Sequence, residues 1–151
     1  MDKNILGTNI VAQIGFLVHD IEKSARVYAD FLGVDVPQIK MTGTLEEAQT
    51  RYKGKPSTAR AKLAFFKIGP TIELELIEPT QEPSTWRDDL NRKGEGVHHI
   101  AFVIKGMKDK IAALERNGAP LLQTGEYTGG RYAYLDGARD MKVIIELLEN
   151  D

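Results

Sequence analysis

Gln13, Glu75, His99 and Glu146 each interrupt an otherwise apolar run: Gln13-Ile14-Gly15-Phe16-Leu17-Val18, Leu74-Glu75-Leu76-Ile77, His99-Ile100-Ala101-Phe102-Val103-Ile104 and Ile145-Glu146-Leu147-Leu148. Short apolar runs of this kind read as strands with at least one buried face. The first and third runs align at an offset of 86 positions, the second and fourth at an offset of 71, so the chain states one unit twice. The four polar residues therefore form two pairs of equivalent positions. Side chains alternate along a strand, which puts Val11, Gln13, Gly15 and Leu17 on one face and His99, Ala101 and Val103 on another. By the same parity His98 falls on the opposite face from His99 and reads as a structural residue hydrogen-bonded against a helix layer. Carboxylates buried on such faces are costly unless something compensates them. A divalent cation would do so beside an imidazole and an amide oxygen. Three oxygen donors and one nitrogen suit one six-coordinate Zn, Ni, Co, Mn or Fe ion per chain, with positions left for water and substrate. The competing reading has the glutamates hydrogen-bonding near strand ends and His99 as a satisfied core histidine. Four residues that obey the repeat favour the metal.

Positioning those residues takes a repeated strand-helix-strands unit. Helical periodicity follows each leading strand, through Ile21, Ala25, Tyr28 and Leu32 in the first half and Met107, Ile111 and Leu114 in the second. Gly33 and Gly118 stand where helices end. We expect strands near 10–18, 34–41, 60–68 and 71–78 with a helix at 21–32, then strands near 97–104, 120–123, 130–136 and 143–149 with a helix at 107–117. The two offsets differ because the first half carries extra residues, placed in the turn-rich segment from Thr44 to Pro56. There Thr44 and Glu47 have the spacing of a capping box. Residues 80–96 link the halves, with a short helix expected after Ser84. The organisation is thus one domain over 1–151, with a first module at about 10–79 and a second at about 97–149, since neither half could bury its own sheet face alone.

Composition narrows the class. Hydrophobic residues at 42% and charged residues at 28% fit an ordinary globular domain rather than a disordered or membrane chain. A net charge of -2 supplies no basic excess for nucleic acid. No cysteine is present, which removes disulfides, thiolate nucleophiles and zinc ribbons and agrees with a cytoplasmic protein. No stretch reaches the roughly 18 apolar residues of a membrane span, and the N-terminus has no leader pattern.

The segments AQIGFLVHDIEKSARVYADFLGV, IELELIEP, GEGVHHIAFVI and VIIELLE resemble the vicinal oxygen chelate superfamily, the group of glyoxalase I and methylmalonyl-CoA epimerase, over nearly the whole chain. The resemblance implies an α+β fold in which two paired βαβββ modules form a curved, open, eight-stranded mixed sheet around a divalent metal. The positions that match the family's ligands are Gln13, Glu75, His99 and Glu146. It also implies proton transfer next to a chelated carbonyl or thioester, with Glu146 as base; strand parity offers Glu73, two residues before Glu75 on the same face, as fallback, against its reading as a solvated rim carboxylate. The usual Asp-Pro-x-Gly turn is replaced by Leu135-Asp136-Gly137-Ala138-Arg139-Asp140. Family members commonly pair as homodimers, and open sheet edges would favour that here.

Within the family the linker and closing strands look more like the epimerase branch than glutathione-dependent glyoxalase, the alternative enzyme. Leu17 and Pro79 stand where glyoxalases grip glutathione. Epimerases carry a second catalytic glutamate before the third strand, and residues 56–60 supply none. The expected substrate is accordingly a small carbonyl compound or acyl-CoA. Arg60 and Arg131 are candidate anion contacts, Tyr132 and Tyr134 candidate pocket walls, and His19 an exposed residue. A metal-free drug-binding protein of the bleomycin-resistance type is the further alternative, disfavoured by four coordinating residues. Ring-cleaving dioxygenases of this fold use two histidines and a glutamate, which Gln13 and Glu75 do not match.

Overall fold

The computed structural model describes residues 1–151. In chain order the elements are β1 (Gln13–Leu17), α1 (Ile21–Leu32), β2 (Lys40–Met41), α2 (Leu45–Ala48), β3 (Arg51–Tyr52), β4 (Lys55–Pro56), β5 (Ala61–Ile68), β6 (Ile72–Pro79), α3 (Thr85–Lys93), β7 (Gly96–Val103), α4 (Met107–Arg116), β8 (Leu121–Tyr127), β9 (Gly130–Leu135) and β10 (Ile144–Asn150). They build one curled mixed sheet in the order β2-β5-β6-β1-β7-β10-β9-β8-β3-β4. Its middle is the repeat in space. β1 lies parallel to β6 and β7 parallel to β10, while β1 and β7 meet antiparallel. Gln13 stands opposite Glu73 and His99 opposite Ile144, the same register in both halves.

Two helices cover the outer face. α1 begins at Asp20, whose carboxylate accepts from the Lys23 amide, and ends at Gly33 in the left-handed conformation that glycine adopts without strain. Its Ile21, Ala25 and Ala29 pack on Ala64, Phe66, Leu74 and Leu76. α4 lays Met107 and Leu114 on Ala133, Leu135, Ile145 and Leu147 in the corresponding place. On the inner face, α3 presses Trp86 and Leu90 against Leu17, Ala61, Ile77, Tyr134 and Ile144. That cluster plugs one end of the cup beside the polar quartet.

Ten strands replace the eight expected, and the difference lies in residues 40–56. The predicted strand at 34–41 survives as Lys40–Met41 alone, with Val34 and Val36 exposed. Pro37 sits in that alternating stretch and has no amide proton for a ladder. The extra residues then cross from one side of the sheet to the other. β2 pairs with β5, while β3 pairs with β8 through Arg51–Thr124 and Tyr52–Gln123. The segment with α2 thus straps the mouth of the cup, starting at Thr44, whose amide and hydroxyl both donate to Glu47 Oε1. Both sheet edges are two-residue strands, and β5 beyond Leu63 keeps its outer backbone edge unpaired.

Candidate metal centre and its cavity

Gln13, Glu75, His99 and Glu146 come from the four central strands and meet on the inner face. Gln13 Oε1 lies 2.9 Å from His99 Nε2, Glu146 Oε2 lies 2.9 Å from it and Glu75 Oε1 3.5 Å. His99 is fully buried and the other three nearly so. Three oxygens therefore converge on one ring nitrogen. A proton on that nitrogen serves one of them, and Glu75 Oε1 and Glu146 Oε2 have no hydrogen-bond partner. Leaving buried carboxylate oxygens bare costs more than an ordinary hydrogen bond contributes. A divalent cation between the four donors would compensate both carboxylates and take the nitrogen lone pair, so the donor set fits the ion expected from the sequence.

The backbone beneath the ring is shaped for it. A Cβ on Gly15 would stand 2.2 Å from His99 Cε1, so the imidazole occupies space that only glycine leaves. Behind the ring, His99 Nδ1 is 2.9 Å from His98 Nδ1, and His98 Nε2 is 3.1 Å from Thr85 Oγ1. Thr85 donates its amide to Gln123 Oε1, and Gln123 Nε2 donates to the Tyr132 hydroxyl. When His98 Nε2–H donates to Thr85, His98 Nδ1 accepts from His99 Nδ1–H, and the His99 Nε2 lone pair faces the three oxygens.

The placement of His98 differs from the parity expectation. The β1–β7 ladder pairs Gly15 with His99 and then Phe16 with Val97, so His98 is the extra residue of a β-bulge. Its ring turns to the same side as His99 and meets Tyr134 edge-on at 5.1 Å. Its Nε2 bonds Thr85 of the plug helix α3 inside the cup and not a layer outside it.

Burial, and then the Glu146 and Glu73 carboxylates, push the Glu75 carboxyl well above its ordinary range. Burial beside His99 holds His98 well below the usual imidazole value. A raised carboxyl pKa stabilises the fold in acid and loses that contribution as pH rises through the folded value; a depressed imidazole pKa does the reverse. The Glu75 contribution falls from about pH 4.3 up to its folded value, while the His98 contribution rises up to about 6.5. A divalent ion requires Glu75 ionised, so a saturating ion should raise the melting temperature more at high pH than at low pH. Thermal melts from pH 5 to 9 with and without the ion check this, and an ion-induced shift that does not change with pH would contradict it.

A cavity of about 770 Å³ opens in front of the quartet, lined by Gln13, Glu75, Glu146, Glu73, Phe65 and Tyr134 among others. Burial and the nearby carboxylates raise the Tyr132 and Tyr134 phenols, so both remain O–H donors. Arg60 and Arg131 do not reach it. The Arg60 Nε donates to the Thr42 carbonyl, and Arg131 pairs with Glu149 and Asp151. His19 is exposed, as expected. Glu47, absent from the sequence reading of the site, lines the cavity from α2. Its capping-box spacing revealed a helix start but not where the helix lies. Glu47 is thus a further carboxylate on the cavity wall, outside residues 56–60. An outward trio, Asp20, Glu22 and Glu78, is already engaged with helix amides and Lys62.

A protein described as uncharacterized, YqjC of Bacillus subtilis (strain 168), is 28% identical over 144 residues, 93% of this chain and 92% of its own. A 2-epi-5-epi-valiolone epimerase of an Actinomyces species is 25% identical over 101 residues, 66% of this chain and 54% of its own. Among solved structures, methylmalonyl-CoA epimerase from Mycobacterium tuberculosis superposes with a TM-score of 0.66 at 16% identity, covering 100% of this chain and 93% of that one. A methylmalonyl-CoA epimerase in complex with methylmalonyl-CoA and NH4+ gives 0.62 at 22% identity, covering 93% and 94%. At these identities the superpositions show the fold. Residues 12–134 match the family model, and the chain belongs to the Glyoxalase/Bleomycin resistance protein/Dioxygenase superfamily.

Proposed function

We propose that the protein is a divalent-metal-dependent isomerase of the epimerase type, moving a proton at the carbon next to a carbonyl or thioester. The observation that carries this reading is the convergence of Gln13, Glu75 and Glu146 on His99 Nε2, with two buried carboxylate oxygens unpartnered, at the floor of a cavity large enough for a small substrate. Gln13, Glu75, His99 and Glu146 would hold the ion. When bound, such an ion supplies a Lewis acid that stabilises negative charge on a substrate carbonyl oxygen.

The chain's own groups do the rest. Glu146, facing the cavity from β10, accepts the proton as the C–H bond breaks and the electron pair moves to the carbonyl oxygen; Glu73 is the fallback acceptor. Glu47 offers a carboxylate from the strap, so a proton can leave on one face and return on the other. Tyr132 and Tyr134, with Phe65 and Trp86, limit the water around the reacting carbon. The cysteine-free chain, with no helix long and apolar enough to cross a membrane, is assigned to the cytoplasm under the same proposal.

The test is solvent exchange. The metal-loaded protein should exchange the α-hydrogen of a carbonyl substrate with deuterium oxide, lose this on chelation and regain it on adding the ion. Glu146→Gln should slow it by roughly 10²–10⁴-fold, and His99→Ala should leave less than one bound ion per chain. A protein that binds no divalent ion, or that binds a bulky drug without metal and exchanges nothing, would overturn the reading.

A further inference from the structure

Charge is distributed unevenly around the cavity beyond the quartet. Glu47, Glu73 and Glu126 line it, against the single ammonium of Lys40. The two arginines that could have met an anion are committed elsewhere, Arg60 to a backbone carbonyl and Arg131 to Glu149 and Asp151. A bound dication would be offset by the Glu75 and Glu146 carboxylates, which leaves the remaining wall net negative. A concave site of one sign repels ligands of that sign and concentrates their opposites or neutral molecules. A substrate carboxylate or phosphate held here would lie among carboxylates with no guanidinium to pair it.

The same wall has what a neutral polyol needs. Carboxylates accept hydrogen bonds from hydroxyl groups. Phe65 and Tyr132 are half-buried and Tyr127 is exposed, so the cavity presents aromatic surface to C–H groups between such acceptors.

We infer that the substrate is an uncharged polyhydroxylated ketone, with a hydroxyl on the carbon beside its carbonyl, and not a carboxylated or phosphorylated thioester. This rests on the proposed isomerase reading and narrows its substrate class. The step balances within the substrate and the enzyme: the C–H bond beside the ketone breaks, its electron pair becomes the carbon–carbon double bond of the enolate, and the proton passes to a glutamate. Return of a proton to that carbon restores the ketone, with or without inversion, and no oxidant or reductant is consumed.

Exchange in deuterium oxide, followed by proton NMR, separates the possibilities. The metal-loaded protein is given scyllo-inosose as the neutral polyhydroxyketone and, in parallel, methylmalonyl-CoA as the carboxylated thioester. The expected kcat/KM for exchange is at least tenfold higher on scyllo-inosose. Glu126→Lys, an exposed change outside the proposed ligands and bases, should narrow that ratio by raising exchange on methylmalonyl-CoA. Faster exchange on methylmalonyl-CoA by the unaltered protein, or a ratio that Glu126→Lys leaves unmoved, overturns the substrate class while the isomerase reading stands. A protein with one bound ion and no exchange on either compound, or on a wider panel of ketones and thioesters, overturns both.

Discussion

Gly15→Ala is expected to abolish tight metal binding without altering any of the four residues assigned to hold the ion. The added methyl would stand 2.2 Å from His99 Cε1, 2.5 Å from Nδ1 and 2.7 Å from Nε2, distances at which one group must move. The backbone at Gly15 is not in the left-handed region, so the methyl is excluded by the ring and not by the chain's own conformation. His99 has nowhere to retreat. His98 stands 2.9 Å behind its Nδ1, and Tyr134 holds its ring at a centroid distance of 5.2 Å. Overpacking of this kind costs about 1–3 kcal/mol, which a fold of this size tolerates, but the ring must leave the point where Gln13, Glu75 and Glu146 converge. Displacing a ligand by a supporting residue lowers affinity by roughly 10–100-fold, and a direct clash belongs at the upper end or beyond. Calorimetric titration with zinc or manganese reads the affinity, and a thermal melt confirms that the variant is folded. Unchanged affinity would mean that the ring can shift within the site, and the convergence on Nε2 would not be the feature that binds the ion.

The same glycine marks the limit of what the sequence discloses. Strand parity and the repeat were enough to bring Gln13, Glu75, His99 and Glu146 to one face, because a period of two and a shared register are local properties. The absence of a side chain at Gly15 has a reason only in the neighbouring strand. His98 is the clearest case of parity failing. A bulge depends on how two strands register against each other, and the run Val97-His98-His99-Ile100 carries no local mark of it. The strap was harder still. Thr44 and Glu47 announce a helix start, but residues 40–56 hold two-residue strands whose partners, β5 and β8, lie on separate sides of the cup. Short pairings have no periodicity to read. Glu47 consequently carries no local signal that ties it to the cavity.

Glu47→Gln is expected to separate exchange from inversion. Two carboxylates that line one cavity from different elements, Glu146 on β10 and Glu47 on the strap, can address a substrate carbon from two directions. The Thr44 amide and hydroxyl hold the Glu47 carboxyl below its ordinary range, which keeps it ionised but weakens it as a base, so a role in inversion requires these two hydrogen bonds to loosen as the proton arrives. Glutamine keeps an oxygen that can accept from both Thr44 groups, and glutamine serves in a capping box as glutamate does, so the strap should hold its place. Metal binding should be unchanged, because Gln13, Glu75, His99 and Glu146 are untouched. Only the basicity at that position is lost. Removing one of two acid–base partners typically slows its step by about 10²–10⁴-fold. With Glu146 intact, one stereoisomer of an accepted substrate should still exchange its α-hydrogen with solvent, while conversion to the other stereoisomer falls by that factor. Deuterium incorporation and chiral chromatography on the same samples provide the two rates. Equal slowing of both would make Glu47 a group that orients substrate and not a second base. No change in either would leave Glu146 acting alone, and inversion would then need a proton returned by solvent.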